Sequence, residues 1–210
     1  MRVVCVLRSG PTYGPEYVYR LQAGVLQHLP GAQFICLTDT PDALPGVKCV
    51  PLIHAWQGWW SKMELFRPDL TGDLLYFDLD TVICGDLTGI AAVGRDTFIR
   101  DFYRQGQCLG SGMMYLTEMR RAKTWATWMR HPARWMQRYQ RGGDQSFLET
   151  IYAGTCARWQ DQTPGQVVSY KAHCARGLPV EARVVCYHGL PKPHQTGWAT
   201  HGSIDKARAG

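Results

Sequence analysis

The stretch that most constrains this chain is residues 74–83, where an apolar run that predicts a buried strand ends in two carboxylates. Asp78 and Asp80 are separated by one residue. Two negative charges so close repel each other, and a buried carboxylate needs a counter-charge. In an extended chain residues i and i+2 point to the same face, so both side chains can bind one cation. Hard divalent ions such as Mg²⁺ and Mn²⁺ prefer such oxygen ligands.

The order of apolar runs and helical patterns predicts the fold class. Residues 3–7 and 34–37 indicate buried strands, and residues 13–29 between them have apolar side chains at helical spacing. Such a strand–helix–strand unit has parallel strands. Further strands are expected at 47–52, 74–77, 110–116, 167–171 and 183–187, and helices at 61–67, 118–130, 133–139 and 145–152, the last capped by Asp144. This order predicts an α/β sandwich with a mixed, mainly parallel central sheet.

Length and composition indicate one globular domain. The chain has 210 residues, 45% of them hydrophobic and 19% charged, which argues against disorder. We expect a single domain over residues 1–193 and a polar C-terminal tail over 194–210. No apolar run reaches the roughly 18 residues of a membrane span, and the apolar stretch at residues 3–7 is too short for a signal peptide. The eight cysteines lack a Cys-x-x-Cys pair, so reduced thiols and a cytoplasmic location are expected.

The positive charge is concentrated in one segment. Residues 118–141 carry seven Lys and Arg side chains against the single acid Glu118, which accounts for the whole net charge of +6. Arg130, Arg134 and Arg138 stand at helical spacing. They could face an acidic acceptor or the anionic inner face of a membrane, or they could form an ordinary solvated face. A nucleic-acid partner is not expected.

A second unusual segment is rich in tryptophan. Trp56, Trp59 and Trp60 fall within five residues of one another. Sugars stack on aromatic faces, so these rings could form a platform for a sugar acceptor. Core packing is at least as good an explanation, especially for one of the adjacent pair.

Polar residues follow several of the predicted elements. In α/β sheets ligands bind beyond the carboxyl ends of the strands, and Asp78, Asp80, Asp144 and His188 all lie at element ends. His188 could add a nitrogen ligand for Mn²⁺, and Lys192 is placed to offset charge on a phosphate leaving group. The ordinary alternatives are a structural histidine and a surface lysine.

Five short motifs in the sequence are informative because of the order in which they occur. They are Lys-Met-Glu-Leu-Phe at 62–66, Leu-Tyr-Phe-Asp-Leu-Asp at 75–80, Ser-Gly-Met-Met-Tyr at 111–115, Gly-Asp-Gln at 143–145 and His-Gly-Leu-Pro-Lys-Pro at 188–193. Together they resemble the nucleotide-sugar glycosyltransferases of family 8, the glycogenin and lipopolysaccharide galactosyltransferase group with the GT-A fold. The resemblance extends from about residue 3 to 194 and is greatest for a compact bacterial or phage branch.

The resemblance implies a role for each matching position. Asp78, Asp80 and His188 match the ligands of a Mn²⁺ (or Mg²⁺) ion that bridges to the nucleotide diphosphate, and Lys192 matches a lysine that contacts the diphosphate. Asp144 and Gln145 match the segment beside the reacting face of the donor sugar. The implied donor-binding residues are Arg8, Tyr13, Asp39, Lys62, Ser111, Gly112 and Gly189. The chain departs from the family pattern at Gly110, where Asn is usual, and at His194, where Trp is usual.

The implied function is metal-dependent transfer of a sugar from a nucleoside diphosphate donor, a UDP-sugar, with retention of anomeric configuration. The acceptor, whether glycan, lipid-linked or protein, is unidentified. Two alternatives stay open. One is a non-catalytic nucleotide-sugar-binding protein. The other is a haloacid-dehalogenase-type phosphatase with Asp78 as nucleophile and Asp80 as acid/base, although that family places its motif on the first strand.

Overall fold

The computed structural model describes residues 1–104 and 108–197, and its ten strands form two sheets. The central sheet has the order β3–β2–β1–β4–β7–β6–β8, and a smaller sheet has the order β5–β10–β9. The strands are β1 Arg2–Leu7, β2 Gln33–Thr38, β3 Lys48–Pro51, β4 Leu74–Phe77, β5 Thr81–Ile83, β6 Thr97–Arg100, β7 Leu109–Leu116, β8 Ala157–Arg158, β9 Val167–Ser169 and β10 Val184–Cys186.

Helices cover the central sheet and join its strands. The α-helices of the described residues are α1 Pro15–His28, α2 Thr88–Ala91, α3 Glu118–Trp128, α4 Pro132–Arg138, α5 Gly143–Tyr152, α6 Trp159–Gln162 and α7 Tyr170–His173. Three 3-10 helices add Pro41–Ala43, Gly58–Phe66 and Pro193–Thr196. No helix in the described part of the chain is long and apolar enough to cross a membrane.

Strand directions confirm the predicted fold class. Strands β1, β2, β3 and β4 run parallel to one another, as do β6 and β8. Within the described central sheet only β7 is antiparallel to its neighbours, β4 and β6; in the small sheet β5 is antiparallel to β10. The sheet is therefore mixed and mainly parallel, as the alternation of strands and helices indicates.

Alternate residues of β1 pack into two cores on opposite faces of the sheet, as the period of a strand requires. Val3, Cys5 and Leu7 lie in the cluster that includes the buried side of α1. Val4 and Val6 lie in the cluster that includes Trp128 and Phe147. Two apolar layers around one sheet make the three-layer sandwich.

A buried glutamate fixes the segment that carries the tryptophans. Glu64 is fully buried and accepts hydrogen bonds from the backbone N–H groups of Ile53, at 2.9 Å, and His54, at 2.6 Å. Its other partner is Arg67, whose Nη1 donates to Glu64 Oε2 at 2.8 Å. These contacts tie the 3-10 helix Gly58–Phe66, expected as an α-helix over 61–67, to the end of β3.

Two expectations about local structure are wrong. Helix α5 begins at Gly143, so Asp144 lies in its first turn and does not cap it. The strand expected at 167–171 ends at Ser169, whose hydroxyl accepts a hydrogen bond from Ala172 N at 3.3 Å and starts α7. At Ser169 this contact at the helix start ends the predicted strand.

The last described residues pack against the domain. The 3-10 helix Pro193–Thr196 places His194 Nδ1 2.7 Å from the Tyr17 hydroxyl, so this histidine contacts α1. Residues 198–210 of the predicted polar tail lie outside the described residues.

Candidate active site

A cavity of about 680 Å³ opens at the end of β1 and β4, where the two strands end side by side. Its walls come from the loop after β1, the Asp78–Asp80 turn, the start of β7, the first turn of α5 and residues 186–192. Strand β7 runs antiparallel to β4, so its first, small residues reach the same edge. The volume lies within the range typical of small-ligand sites.

Asp78 is held by three neighbours. The Tyr76 hydroxyl donates to its Oδ1, and Lys62 Nζ lies 3.0 Å from the same oxygen. Its backbone N–H donates to Gly112 O at 2.8 Å. A Cβ at Gly112 would lie 3.2 Å from Asp78 Oδ2, so glycine there leaves room for the carboxylate.

Asp80 is buried, and its carboxylate forms an ion pair with a lysine from the C-terminal end of the chain. Its Oδ2 accepts hydrogen bonds from the Tyr13 hydroxyl at 2.7 Å and from Lys192 Nζ at 2.5 Å. Burial and the neighbouring Asp78 charge raise the pKa of Asp80, while Lys192 opposes the rise. The carboxylate pair therefore requires cations, and Lys62 and Lys192 supply them.

Lys62 joins Asp78 to the first turn of α5. Its buried ammonium lies 3.4 Å from Asp144 Oδ2 and 3.3 Å from Ser111 Oγ. Burial alone would lower the pKa of Lys62, but the carboxylates of Asp144 and Asp78 raise it above its usual value. Lys62 is therefore a permanent cation in the cavity wall.

Asp144 and Gln145 place polar groups together in the cavity wall. No hydrogen bond from the described residues reaches Asp144 Oδ2, although the side chain is only 5% exposed. Burial raises the pKa of Asp144. Gln145 Oε1 accepts a long hydrogen bond from Ser111 N at 3.4 Å, and its Nε2 donates to Asp101 Oδ2 at 3.3 Å. The partner of the buried Asp144 oxygen is the Lys62 ammonium 3.4 Å away, so Asp144 is ion-paired in the cavity wall.

His188 lines the same cavity as the two aspartates. Its Nε2 lies 2.7 Å from Ser169 Oγ, and its ring stacks on Phe102 with the centroids 5.9 Å apart. Burial, with help from Lys171, lowers the pKa of His188, which favours the neutral imidazole. Neutral imidazole is the form that binds metals.

The side chains of Asp78, Asp80 and His188 are suitable ligands for a Mn²⁺ or Mg²⁺ ion, because all three line one cavity and the carboxylates need a cation. In residues 1–104 and 108–197, however, no three His, Cys, Asp or Glu side chains already converge on one point. A metal would compete with Lys192 for Asp80 and with Ser169 for His188. The metal ligands stay a prediction.

The loop after β1 is braced by Asp39. Ser9 N and Ser9 Oγ donate to the Asp39 carboxylate at 2.8 and 2.5 Å, and Arg8 Nε lies 3.3 Å from it. These hydrogen bonds lower the pKa of Asp39 against the opposing effect of burial. Arg8 and Tyr13 line the cavity; Asp39 is outside its lining and holds the loop in place.

The remaining residues predicted to bind the sugar donor also line the cavity. Ser111 and Gly112 come from β7, and Gly189 follows His188 with a φ of +68° that favours glycine. At Gly110 a Cβ would lie 3.3 Å from Ile99 Cβ, so the asparagine usual in the resembling family would press on β6 here.

Of the three tryptophans, only Trp59 lines the cavity. Trp60 is buried and stacks on Trp128, and Trp56 stacks on His54. Trp59 is 50% exposed and lies against Gly143, where a Cβ would be 2.7 Å from its ring. Core packing is thus correct for Trp60, and Trp59 remains available as a platform.

Two contributing residues were missed by the sequence reasoning. Tyr76 precedes Asp78 by two positions on a strand, so the shared face could have indicated their hydrogen bond. Ser169 reaches His188 from a different strand, and no local signal relates the two.

Comparison with solved structures finds a similar fold in known glycosyltransferases. Galactosyltransferase LgtC in complex with donor and acceptor sugar analogs superimposes with a TM-score of 0.68 and 14% identity, over 95% of this chain and 92% of LgtC. An active-site mutant of LgtC gives a TM-score of 0.67 and 13% identity over the same shares. The glycosyltransferase GlyE of Streptococcus pneumoniae TIGR4 gives 0.67 and 16%, over 91% of this chain and 56% of GlyE.

The chain has the fold of these glycosyltransferases. The GT-A-like architecture expected from the five motifs is therefore confirmed at the level of the fold. No protein-family model matches the sequence, and no curated protein matches it by sequence.

Proposed function

We propose that this protein is a metal-dependent glycosyltransferase that moves a sugar from a nucleoside diphosphate donor, a UDP-sugar, to an acceptor. The observation that carries the proposal is the meeting of Asp78, Asp80, His188 and Lys192 in one cavity, although the chain separates Asp80 from Lys192 by 112 positions. Two carboxylates, an imidazole and a lysine form the set needed to bind a metal diphosphate. The fold is one that known glycosyltransferases use.

The two ends of the cavity suit the two ends of such a donor. The loop from Arg8 to Tyr13 forms one wall and would hold the base and ribose. Asp144 and Gln145 form another wall and would face the donor sugar, where the Asp144 carboxylate, paired with Lys62 at 3.4 Å, would accept a hydrogen bond from a sugar hydroxyl. Lys62 would keep that carboxylate charged.

Asp78, Asp80 and His188 would hold the Mn²⁺ or Mg²⁺ ion, which when bound supplies Lewis-acid stabilisation of the diphosphate. Lys192 has a flexible stem, so its ammonium can pair with Asp80 in the free protein and with a phosphate oxygen when a donor is bound. Because negative charge grows on the diphosphate as the glycosidic bond breaks, a cation there lowers the barrier. The family resemblance further suggests retention of configuration, with the reacting carbon beside Asp144 and Gln145.

A thermal-shift panel tests the proposal. UDP, other nucleoside diphosphates and UDP-sugars are each added with and without Mn²⁺, to the wild type and to Asp80→Asn. We expect a Mn²⁺-dependent rise in melting temperature with UDP or a UDP-sugar in the wild type, and its loss in the variant. Stabilisation by phosphate analogues with Mg²⁺, but by no nucleotide, would contradict it and favour a phosphatase.

A further inference from the structure

The basic segment 118–141 has no role in the proposed function. Two of its seven cations have structural roles. Arg121 is buried and donates to the backbone carbonyls of residues 65, 67, 70 and 72, and Arg120 donates to Ile151 O and Thr155 Oγ1. Five exposed cations are left: Lys123, Arg130, Arg134, Arg138 and Arg141. We call these five the basic surface.

The basic surface differs from the other charged surfaces of the molecule. Elsewhere several arginines pair with carboxylates, as Arg100 does with Asp161 at 2.6 Å and Arg104 with Glu149 at 2.5 Å. In the part of the chain that the structure describes, no cation of the basic surface lies within ion-pair distance of a carboxylate. The sequence explains this, because residues 119–143 contain no Asp or Glu.

Helix α4 packs its apolar side against the core and exposes its cations to solvent. Trp135 and Met136 pack against the apolar cluster under the sheet, and Trp135 Nε1 donates to Thr127 O at 3.2 Å. Arg134 and Arg138 are exposed one helical turn apart. Such an amphipathic arrangement holds positive charge outward without a partner inside the chain.

The chemistry of the basic surface suits a layer of phosphate headgroups better than nucleobases. Within residues 118–141 the large exposed apolar side chains are Met119 and Met129, at 73% and 40%, and no Phe, Tyr or Trp ring there is equally exposed. Bound single strands need exposed rings for stacking, whereas an anionic bilayer needs clustered cations with apolar side chains beside them. Arg141 also directly precedes Gly142, which lines the cavity.

We propose that the basic surface docks this protein onto an anionic membrane, with the five cations against lipid phosphates and the cavity rim at Gly142 next to the bilayer. The attraction is electrostatic and falls off within a Debye length, so it weakens as salt is added. This proposal is independent of the proposed catalytic function.

Sedimentation with vesicles tests the docking. The full chain is mixed with vesicles of phosphatidylcholine alone or with added phosphatidylglycerol, at low and high salt. The variant carries Arg130→Gln, Arg134→Gln and Arg138→Gln. A matched control carries Lys48→Gln, Arg95→Gln and Arg176→Gln, which removes the same charge from exposed positions elsewhere. Melting temperatures verify that both variants are folded.

We expect the wild type to bind only vesicles that contain phosphatidylglycerol, with release at high salt. The basic-surface variant should bind at least roughly tenfold more weakly, and the control should bind nearly as the wild type does. Equal losses in the two variants would overturn the proposal, since net charge alone would then explain binding. Equal binding to uncharged vesicles, or complete displacement by duplex DNA at matched phosphate concentration, would also overturn it.

Discussion

Lys192 Nζ lies 2.5 Å from Asp80 Oδ2 and joins two residues that are 112 positions apart. The Tyr13 hydroxyl bonds the same oxygen, so the loop after β1, the turn after β4 and the C-terminal segment meet at one carboxylate. This contact closes the cavity on the side assigned to the diphosphate. It also gives the first prediction.

Replacing Lys192 by Met should lower turnover of the donor roughly a hundredfold, because a cation that stabilises a departing anion is worth that much in other enzymes. Lys192→Arg keeps the charge and should retain a measurable part of the rate. Steady-state release of the nucleotide diphosphate measures the effect, and unchanged turnover in Lys192→Met would refute the role.

Trp59 should act on the acceptor and not on the donor, given its exposed ring at the cavity wall. Trp59→Ala should raise the KM for the acceptor about three- to tenfold by loss of an aromatic contact. Trp59→Phe keeps an aromatic ring, so its KM should stay close to that of the wild type. The affinity for UDP, measured by calorimetry, should stay constant. Leu26→Ala, an exposed apolar change on α1, serves as the control. A loss of UDP affinity equal to the acceptor effect would count against this assignment.

Gly112→Ala should disturb the carboxylate pair, since the added Cβ would lie 3.2 Å from Asp78 Oδ2. We expect about a tenfold loss in donor turnover with little change in melting temperature. Gly89→Ala is the matched control, because a Cβ there meets no atom within 4 Å. If both variants keep full activity, the fit at Gly112 has no functional consequence.

Glu64, the one acid of the segment 58–66, should be costly to remove. Glu64→Ala leaves two backbone N–H groups without their acceptor and takes one carboxylate partner from the buried Arg67, so the free energy of unfolding should fall by about 3–5 kcal/mol. Urea denaturation measures it. Glu181→Ala, with an exposed side chain, should change stability by less than about 0.5 kcal/mol; similar losses in both variants would contradict the role of Glu64.

Long, strongly patterned elements could be predicted from the sequence. Strands β1, β2 and β4 are uninterrupted apolar runs, and α1 carries a clear helical period, so their positions and parallel order followed. Strands β5 and β8 have three and two residues, too few for any periodicity, and their pairing depends on distant partners. The sequence pattern therefore predicted neither β8 at the edge of the central sheet nor β5, without which β9 and β10 could not be assigned to a separate sheet.

The site was predicted by motif resemblance more than by local physics. Asp78, Asp80 and Lys192 meet as expected, but no sequence pattern reveals that Lys192 would pair directly with Asp80 or that Ser169 would engage His188. Those contacts follow from strand pairing within the second sheet, where β10 pairs with both β9 and β5. Asp144 was expected to cap a helix, whereas its buried carboxylate faces Lys62.

Nucleotide release from UDP-sugars tests the central claim most directly. Wild type and Asp80→Asn are incubated with a panel of UDP-hexoses and Mn²⁺, with and without chelator, and free UDP is measured. The account predicts metal-dependent release of UDP from at least one sugar by the wild type, and at least a roughly hundredfold slower release by the folded variant. Binding of UDP-sugar without any release, or equal release by Asp80→Asn, would contradict it.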